Sequence, residues 1–215
     1  MSAASTRAVL SVVAGVLVVA VLPGCTGGDE PASNAIIVTT QSPGGYRGAV
    51  LDRPYAMPDV VLTDTGGRPF HLRADTHQPV TLVFFGYTHC PDICSTVLAD
   101  VSAAMRRMDQ RLRGNIQLVF ITTDPARDSP AVIRKYLDRF DPAFVGLTGR
   151  LEVIERAARE VGVALTGTTK LPDGGYDVGH SAQVIGFTGD DEGRLVWPHD
   201  TPVGDLRHDL TKLAA

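Results

Sequence analysis

Pro79-Val80-Thr81-Leu82-Val83-Phe84-Phe85-Gly86-Tyr87-Thr88-His89-Cys90-Pro91-Asp92-Ile93-Cys94 is the stretch that decides how this 215-residue chain folds. Its first seven residues are a continuous, largely apolar run rich in Val and Phe, the pattern of a strand covered on both faces. From Ile93 to Leu112 the pattern changes: Val97, Val101, Met105, Met108 and Leu112 recur at helical spacing until Gly114 stops the run. Two thiols therefore stand at a strand-to-helix junction. If the helix begins within Pro91-Asp92-Ile93, a rise of about 1.5 Å per residue puts the Cα atoms of Cys90 and Cys94 roughly 6 Å apart. A disulfide spans about 4.4–6.8 Å, so the pair can be oxidised. The same spacing lets both sulfurs face one metal ion, and a helix N-terminus lowers thiol pKa. Redox chemistry and soft-metal binding both follow from this junction.

Ile116 to Thr122 is a second buried strand. It runs into the loop Thr123-Asp124-Pro125-Ala126-Arg127-Asp128-Ser129-Pro130, which ends in a Ser cap and a Pro at the first helical position. Helices are expected over Ala131–Phe140, Leu151–Val161 and about Val203–Leu213, with a short strand over Ala143–Leu147. A hairpin is expected at Asp59–Thr63 and Arg68–Leu72, and two strands at Ala182–Phe187 and Arg194–Trp197. Between the Leu151–Val161 helix and the Ala182 strand lies a Gly/Thr/Pro-rich stretch through Asp173-Gly174-Gly175, read as a loop. This order is that of an α/β protein, a thioredoxin-like sandwich with a central mixed sheet flanked by helices. The dithiol follows the first core strand, where an open sheet exposes a helix N-terminus and usually carries its chemistry.

The N-terminal end points outside the cytoplasm. Ala8 to Leu22 is an apolar run preceded by a single charge, Arg7, and followed by Leu22-Pro23-Gly24-Cys25. At about 15 residues it is short for a membrane span, which needs roughly 20, and it reads as a secretory signal. Small residue then Cys after such a run resembles a bacterial lipobox. Residues 1–25 are accordingly expected to be a signal peptide ending at a lipidated Cys25, with the chain anchored at the extracytoplasmic face of the cell membrane. An uncleaved N-terminal anchor is the alternative. Residues 26–53 read as a flexible tether with a short apolar patch at Ala35–Val38 and room for at most one strand, and residues 54–215 as one globular domain. The formal net charge of −4, without a basic cluster, excludes nucleic-acid binding.

With Cys25 set aside for lipid, Cys90 and Cys94 are the remaining thiols. A purely structural bridge across so short a loop removes little unfolded-state entropy. The three-residue spacing departs from the two residues of an ordinary thioredoxin dithiol. Two thiolates suit Cu(I), and one added imidazole makes a trigonal set that tolerates Cu(II). His180, before the Ala182 strand, is the candidate best placed to supply it, although a lone His there is more often a cap or surface residue. His89 is read as tuning the thiolates or exchanging protons. His71, His77, His199 and His208 are read as solvated surface. Met57 is a nominal thioether ligand, while Met105 and Met108 match a helix core face. Asp124, Arg127 and Asp128 suggest either an acid cluster or, more simply, a salt-bridged loop or docking surface beside the thiols. No Ser-His-Asp order, phosphate loop or second Cys pair is present.

From about Asp59 to Lys212 the chain resembles the Sco/SenC family of membrane-tethered copper chaperones for cytochrome c oxidase assembly. The resemblance rests on Phe85-Gly86-Tyr87-Thr88-His89-Cys90-Pro91-Asp92-Ile93-Cys94, on Thr123 to Pro130, and on Tyr176-Asp177-Val178-Gly179-His180-Ser181. It implies copper, Cu(I) or Cu(II), held by Cys90, Cys94 and His180, and it implies a redox-active dithiol at Cys90 and Cys94. It further implies delivery of copper to the binuclear copper site of cytochrome c oxidase subunit II or another copper-site protein, or reduction of that site's cysteines. An extracytoplasmic thiol reductase would then reset the dithiol. The protein is expected to be a metallochaperone more than an enzyme, the alternative being a thiol-disulfide oxidoreductase acting on other exported proteins. Two departures are visible. Ser95 stands where the family commonly has Pro, and Gly179 where it often has Asp. The latter predicts a looser loop around His180 and a greater loss of Cu(II) than of Cu(I) binding.

Overall fold

The computed structural model describes residues 43–171 and 175–215. The signal and lipobox reading of residues 1–25, Cys25 included, lies outside the described residues, as does most of the tether with its Ala35–Val38 patch.

In chain order the described elements are β1 (Ala49–Ala56), β2 (Val61–Asp64), β3 (Pro69–His71), β4 (Val80–Gly86), α1 (Ile93–Arg106), α2 (Gln110–Arg113), β5 (Ile116–Thr122), α3 (Pro130–Leu137), β6 (Val145–Thr148), α4 (Leu151–Glu160), β7 (Leu165–Lys170), β8 (Tyr176–His180), β9 (Gln183–Thr188), β10 (Glu192–Pro198) and α5 (Val203–Leu213). Eight strands form one mixed sheet in the order β1-β10-β9-β4-β5-β6-β2-β3, and β7 pairs with β8 alone. β4, β5 and β6 run parallel, whereas β9 lies antiparallel on the other side of β4. The architecture is a thioredoxin-like α/β sandwich with a central mixed sheet.

Every residue of β4 is buried, as its unbroken apolar run requires. Side chains alternate between two cores. Val80, Leu82 and Phe84 pack with Val97, Leu98 and Val101 of α1, Ile133 and Leu137 of α3 and Leu206 and Leu210 of α5. Val83 and Phe85 face the opposite way, toward Ile154, Ala157 and Ala158 of α4. β5 repeats the pattern with Leu118 and Phe120 on the first face and Val119 and Ile121 on the second. Each such side chain contributes about 1.5–3 kcal/mol on burial, so the strand leading to the cysteines is among the most firmly held parts of the fold.

Four expectations need correction. The helix read as Ile93–Leu112 is two: α1 ends at Arg106, where the amides of Arg107 and Met108 bond back to Ala104 and Met105. Asp109 then caps α2 by accepting from the Arg111 amide. Met108 and Leu112 still pack on the core, so the apolar period continues through a break it does not reveal. The third helix stops at Leu137, short of Phe140. The domain starts before residue 54: the one strand allowed in the tether is the beginning of β1, hydrogen-bonded to β10 from Ala49 onward. Finally, the Gly/Thr-rich loop before Ala182 is the β7–β8 ribbon.

Asp209 of α5 fixes the start of β1. Its fully buried carboxylate accepts from the amides of Arg47 and Gly48, at 3.0 and 2.7 Å, and from Trp197 Nε1 and His208 Nδ1, both at 2.9 Å. Gly48 is required here, since a Cβ would come within 2.5 Å of the Trp197 ring nitrogen. His208, read as solvated surface, is half-buried and pairs with this carboxylate. Burial by itself would raise the Asp209 pKa, but these bonds outweigh it and hold the carboxyl below its ordinary value. The stability it gives is fully present above the unfolded carboxylate value of about 3.9 and is lost as pH falls through the lower folded value. Asp209→Ala should cost about 3 kcal/mol, read as a lower urea midpoint at pH 7, because several buried donors lose their acceptor. The difference between wild type and variant should shrink on acidification below pH ~4.

Candidate metal centre

The dithiol loop leaves the carboxyl end of β4 and is gripped from below. Asp128, fully buried, accepts from the Thr88 amide at 3.0 Å, from Thr88 Oγ1 at 2.6 Å and from Thr122 Oγ1 at 2.6 Å. The Thr123 amide bonds to the Gly86 carbonyl at 2.7 Å, and the Cys90 amide to the Tyr87 carbonyl at 3.2 Å. Asp124 forms an ion pair with Arg127 and accepts from Tyr176 Oη at 2.9 Å. Arg127 lies 3.7 Å from the Tyr176 ring centroid, a cation–π contact. The Asp124–Arg127–Asp128 cluster is therefore a salt-bridged support under the thiols.

Cys94 sits fully buried in the first turn of α1, and Cys90 is half-buried ahead of it. The Asp92 side chain makes no capping bond; instead the Cys94 amide donates to Cys90 Sγ at 3.3 Å. A sulfur at this place is favoured as an anion. The hydrogen bond with the Cys94 thiol, which outweighs burial, together with His180 and the helix amides holds Cys90 at a pKa of about 4. The neighbouring Cys90 thiolate and burial push Cys94 in the opposite direction, far above an ordinary thiol. The arrangement favours the accessible Cys90 as the thiolate and the buried Cys94 as the thiol.

His180 ends β8 and reaches the pair from the other side. Its Nδ1 donates to the Ser181 carbonyl at 3.1 Å, which orients the ring so that Nε2 faces the pair, 3.5 Å from Cys94 Sγ. The ligand atoms of Cys90, Cys94 and His180 all lie within 4.8 Å of one another, the sole such group of three among the described residues. Metal–sulfur bonds of about 2.3 Å in a trigonal set separate ligand atoms by about 4 Å, so a small contraction would close this set around one ion. A cleft of about 250 Å³ opens beside it, lined by Tyr87, Cys90, Ile93, Asp177 and His180.

The ribbon owes its aim to a bulge. Leu165 pairs with His180 and Gly167 with Gly179, leaving Thr166 as the extra residue. A Cβ at Gly179 would meet Thr166 Oγ1 at 2.1 Å. Gly179 lies within strand β8, not in an irregular loop. Ser95 makes a 3.2 Å contact with Tyr136 Oη and joins α1 to α3.

Other candidates fall away from the centre. His89 is exposed, with Nδ1 3.0 Å from Thr88 Oγ1 and 3.7 Å from Asp128. His71, His77 and His199 are exposed, Met57 and Met105 are core residues, and Met108 packs against the core. Tyr87 and Asp177, which sequence reasoning passed over, line the site and bond to one another. Tyr87 lies in the dithiol stretch itself, three residues before Cys90, and that adjacency was the available signal.

A dithiol at a helix N-terminus, faced by an imidazole on a thioredoxin-like sheet, defines a protein built to hold a soft metal or exchange electrons through two thiols. The SCO1/SenC family model matches residues 51–215, and the chain belongs to that family. A putative copper-binding protein from Stutzerimonas stutzeri is 34% identical over 164 residues, covering 75% of this chain and 74% of its own length. Saccharomyces cerevisiae mitochondrial protein SCO2 is 33% identical over 136 residues, covering 63% of this chain. The chain spans 44–51% of the length of that protein, the mouse SCO2 homolog and yeast SCO1. Apo Sco1 from Thermus thermophilus superposes with a TM-score of 0.69 at 30% identity over 78% of this chain and 96% of its own. Copper-bound ScoI from Bradyrhizobium japonicum gives 0.63 at 30% identity over 74% and 97%.

Alkylation tests the electrostatics directly. Iodoacetamide should modify Cys90 at a rate that holds nearly constant from pH 8 down to about 5 and falls below that, while Cys94 stays unmodified in the folded protein.

Proposed function

We propose that this protein is an extracytoplasmic copper chaperone that binds one copper through Cys90, Cys94 and His180 and delivers it to the binuclear copper site of cytochrome c oxidase. The observation that carries the reading is the convergence of two sulfurs and an imidazole nitrogen from separate elements, within 4.8 Å of one another. Thiolate ligands select Cu(I), and the imidazole extends the set to Cu(II). Copper-bound relatives and the family membership support the choice of ion.

The same thiols suit a second use. The accessible Cys90 thiolate can attack a disulfide in a partner, and the Cys94 thiol, 0% exposed behind it, can resolve the mixed disulfide. Reducing the acceptor's cysteines would leave Cys90 and Cys94 oxidised, and an extracytoplasmic thiol reductase would restore them. Metal holding requires the reduced pair, so redox state selects between the two uses. Cys25 and the apolar run before it support lipid anchoring at the outer face of the membrane. No helix among the described residues is long and apolar enough to cross a membrane.

The test is copper binding by a chain lacking residues 1–25, reduced and anaerobic. One Cu(I) per chain and a thiolate-to-Cu(II) charge-transfer band are expected for wild type. His180→Ala should abolish the band while retaining Cu(I), and Cys90→Ser should lose both. Absence of stoichiometric copper with both thiols free would contradict the reading.

A further inference from the structure

His180 is carried by a piece of structure that has little hold of its own. β7 and β8 form a two-stranded sheet with no strand pairing to the main sheet. β7 is exposed from Thr166 to Lys170, and Val178 is the one buried residue of β8. An isolated two-stranded ribbon is marginal in water. Something must fix its position if Nε2 is to stay 3.5 Å from Cys94 Sγ.

Tyr87 is suited to that task. It is 1% exposed, immediately follows β4, and accepts the Cys90 amide on its own carbonyl. Its hydroxyl donates to the Asp177 carboxylate and lies 3.4 Å from the Val178 amide, from which it accepts. Its ring stands edge-on to the His180 imidazole, with centroids 5.8 Å apart at 85°. One residue thus touches the thiol loop through its carbonyl and three positions of the ribbon, 177, 178 and 180, through its side chain. Asp177 is the one acid on β8. A second polar tie, Tyr176 to Asp124, attaches at the ribbon's far end, away from His180.

We propose that the Tyr87–Asp177 hydrogen bond is the latch that holds the His180 ribbon over the cysteine pair, making Tyr87 and Asp177 positioning residues for the third ligand. The latch rests on the copper-site reading for its purpose, but its existence is testable without metal. With the latch intact, the imidazole is presented ready-made and little ordering is required on binding. Without it, the two thiolates are unaltered and the imidazole has to be recruited.

Tyr87→Phe and Asp177→Asn are the variants, with Tyr176→Phe as the comparison at the far tie. In metal-free, reduced protein, amide hydrogen exchange at residues 176–180 should rise about tenfold in Tyr87→Phe and Asp177→Asn, with exchange in β4 and β5 unchanged. After loading, Cu(II) affinity should fall about tenfold while Cu(I) affinity stays within about twofold; Tyr176→Phe should do neither. Unchanged ribbon exchange in both variants would overturn the latch. So would equal losses of Cu(I) and Cu(II), which a general loss of packing produces. Failure of wild type to bind copper would remove the copper reading and leave the exchange experiment to decide the latch.

Discussion

β4 is covered on both faces and flanked by a strand on each side, and the rest of the site depends on that confinement. A strand held by two cores has no freedom to shift, so the chain leaving it at Gly86 starts from a fixed point. Gly86 is itself confined, since a Cβ there would lie about 3 Å from the Phe120 and Phe84 rings and from Cys94 Sγ. Asp128 then ties down Thr88, two residues before Cys90. The first turn of α1 follows with the Cys94 amide directed at the Cys90 sulfur. Thiol acidity is in this sense a product of packing: the strand sets where the helix begins, and the helix start sets which sulfur is an anion.

The confinement also divides labour between the thiols. A half-exposed thiolate and a buried thiol make a nucleophile with its resolving partner, and equally a soft bidentate claw needing loss of one proton to grip a metal. The third donor arrives from a different element with different mechanics. Dithiol geometry is built into the core, whereas the imidazole stands on a ribbon outside the main sheet. If the three donors hold copper as proposed, core-built sulfurs and a ribbon-borne nitrogen would let the sulfur part of the coordination persist while the imidazole leaves.

The parts of the fold written in apolar pattern were legible in the sequence. β4 and β5 are continuous apolar runs, α4 has one apolar face, and Ser129-Pro130 marks the start of α3 at its observed place. The parts held by polar contacts were not. β7 has the composition of a loop, Leu-Thr-Gly-Thr-Thr-Lys, since an exposed ribbon has no buried face to impose alternation. β1 contains Asp52, Arg53 and Pro54, tolerable at the edge of a sheet and typical of a linker in isolation. At the site, the cysteines declare themselves by spacing, and the buried role of Asp124 and Asp128 was one of two readings their loop allowed. His180 stood out through resemblance to a family motif more than through its own surroundings. Tyr87 and Asp177 lie 90 residues apart, a separation that no local pattern bridges.

X-ray absorption at the copper edge of the Cu(I)-loaded protein, compared with the His180→Ala variant, tests the central claim most directly. The geometry predicts two sulfur scatterers and one nitrogen in wild type, and two sulfurs without that nitrogen in the variant. A single sulfur, or an identical first shell in the two proteins, would contradict a site made of Cys90, Cys94 and His180.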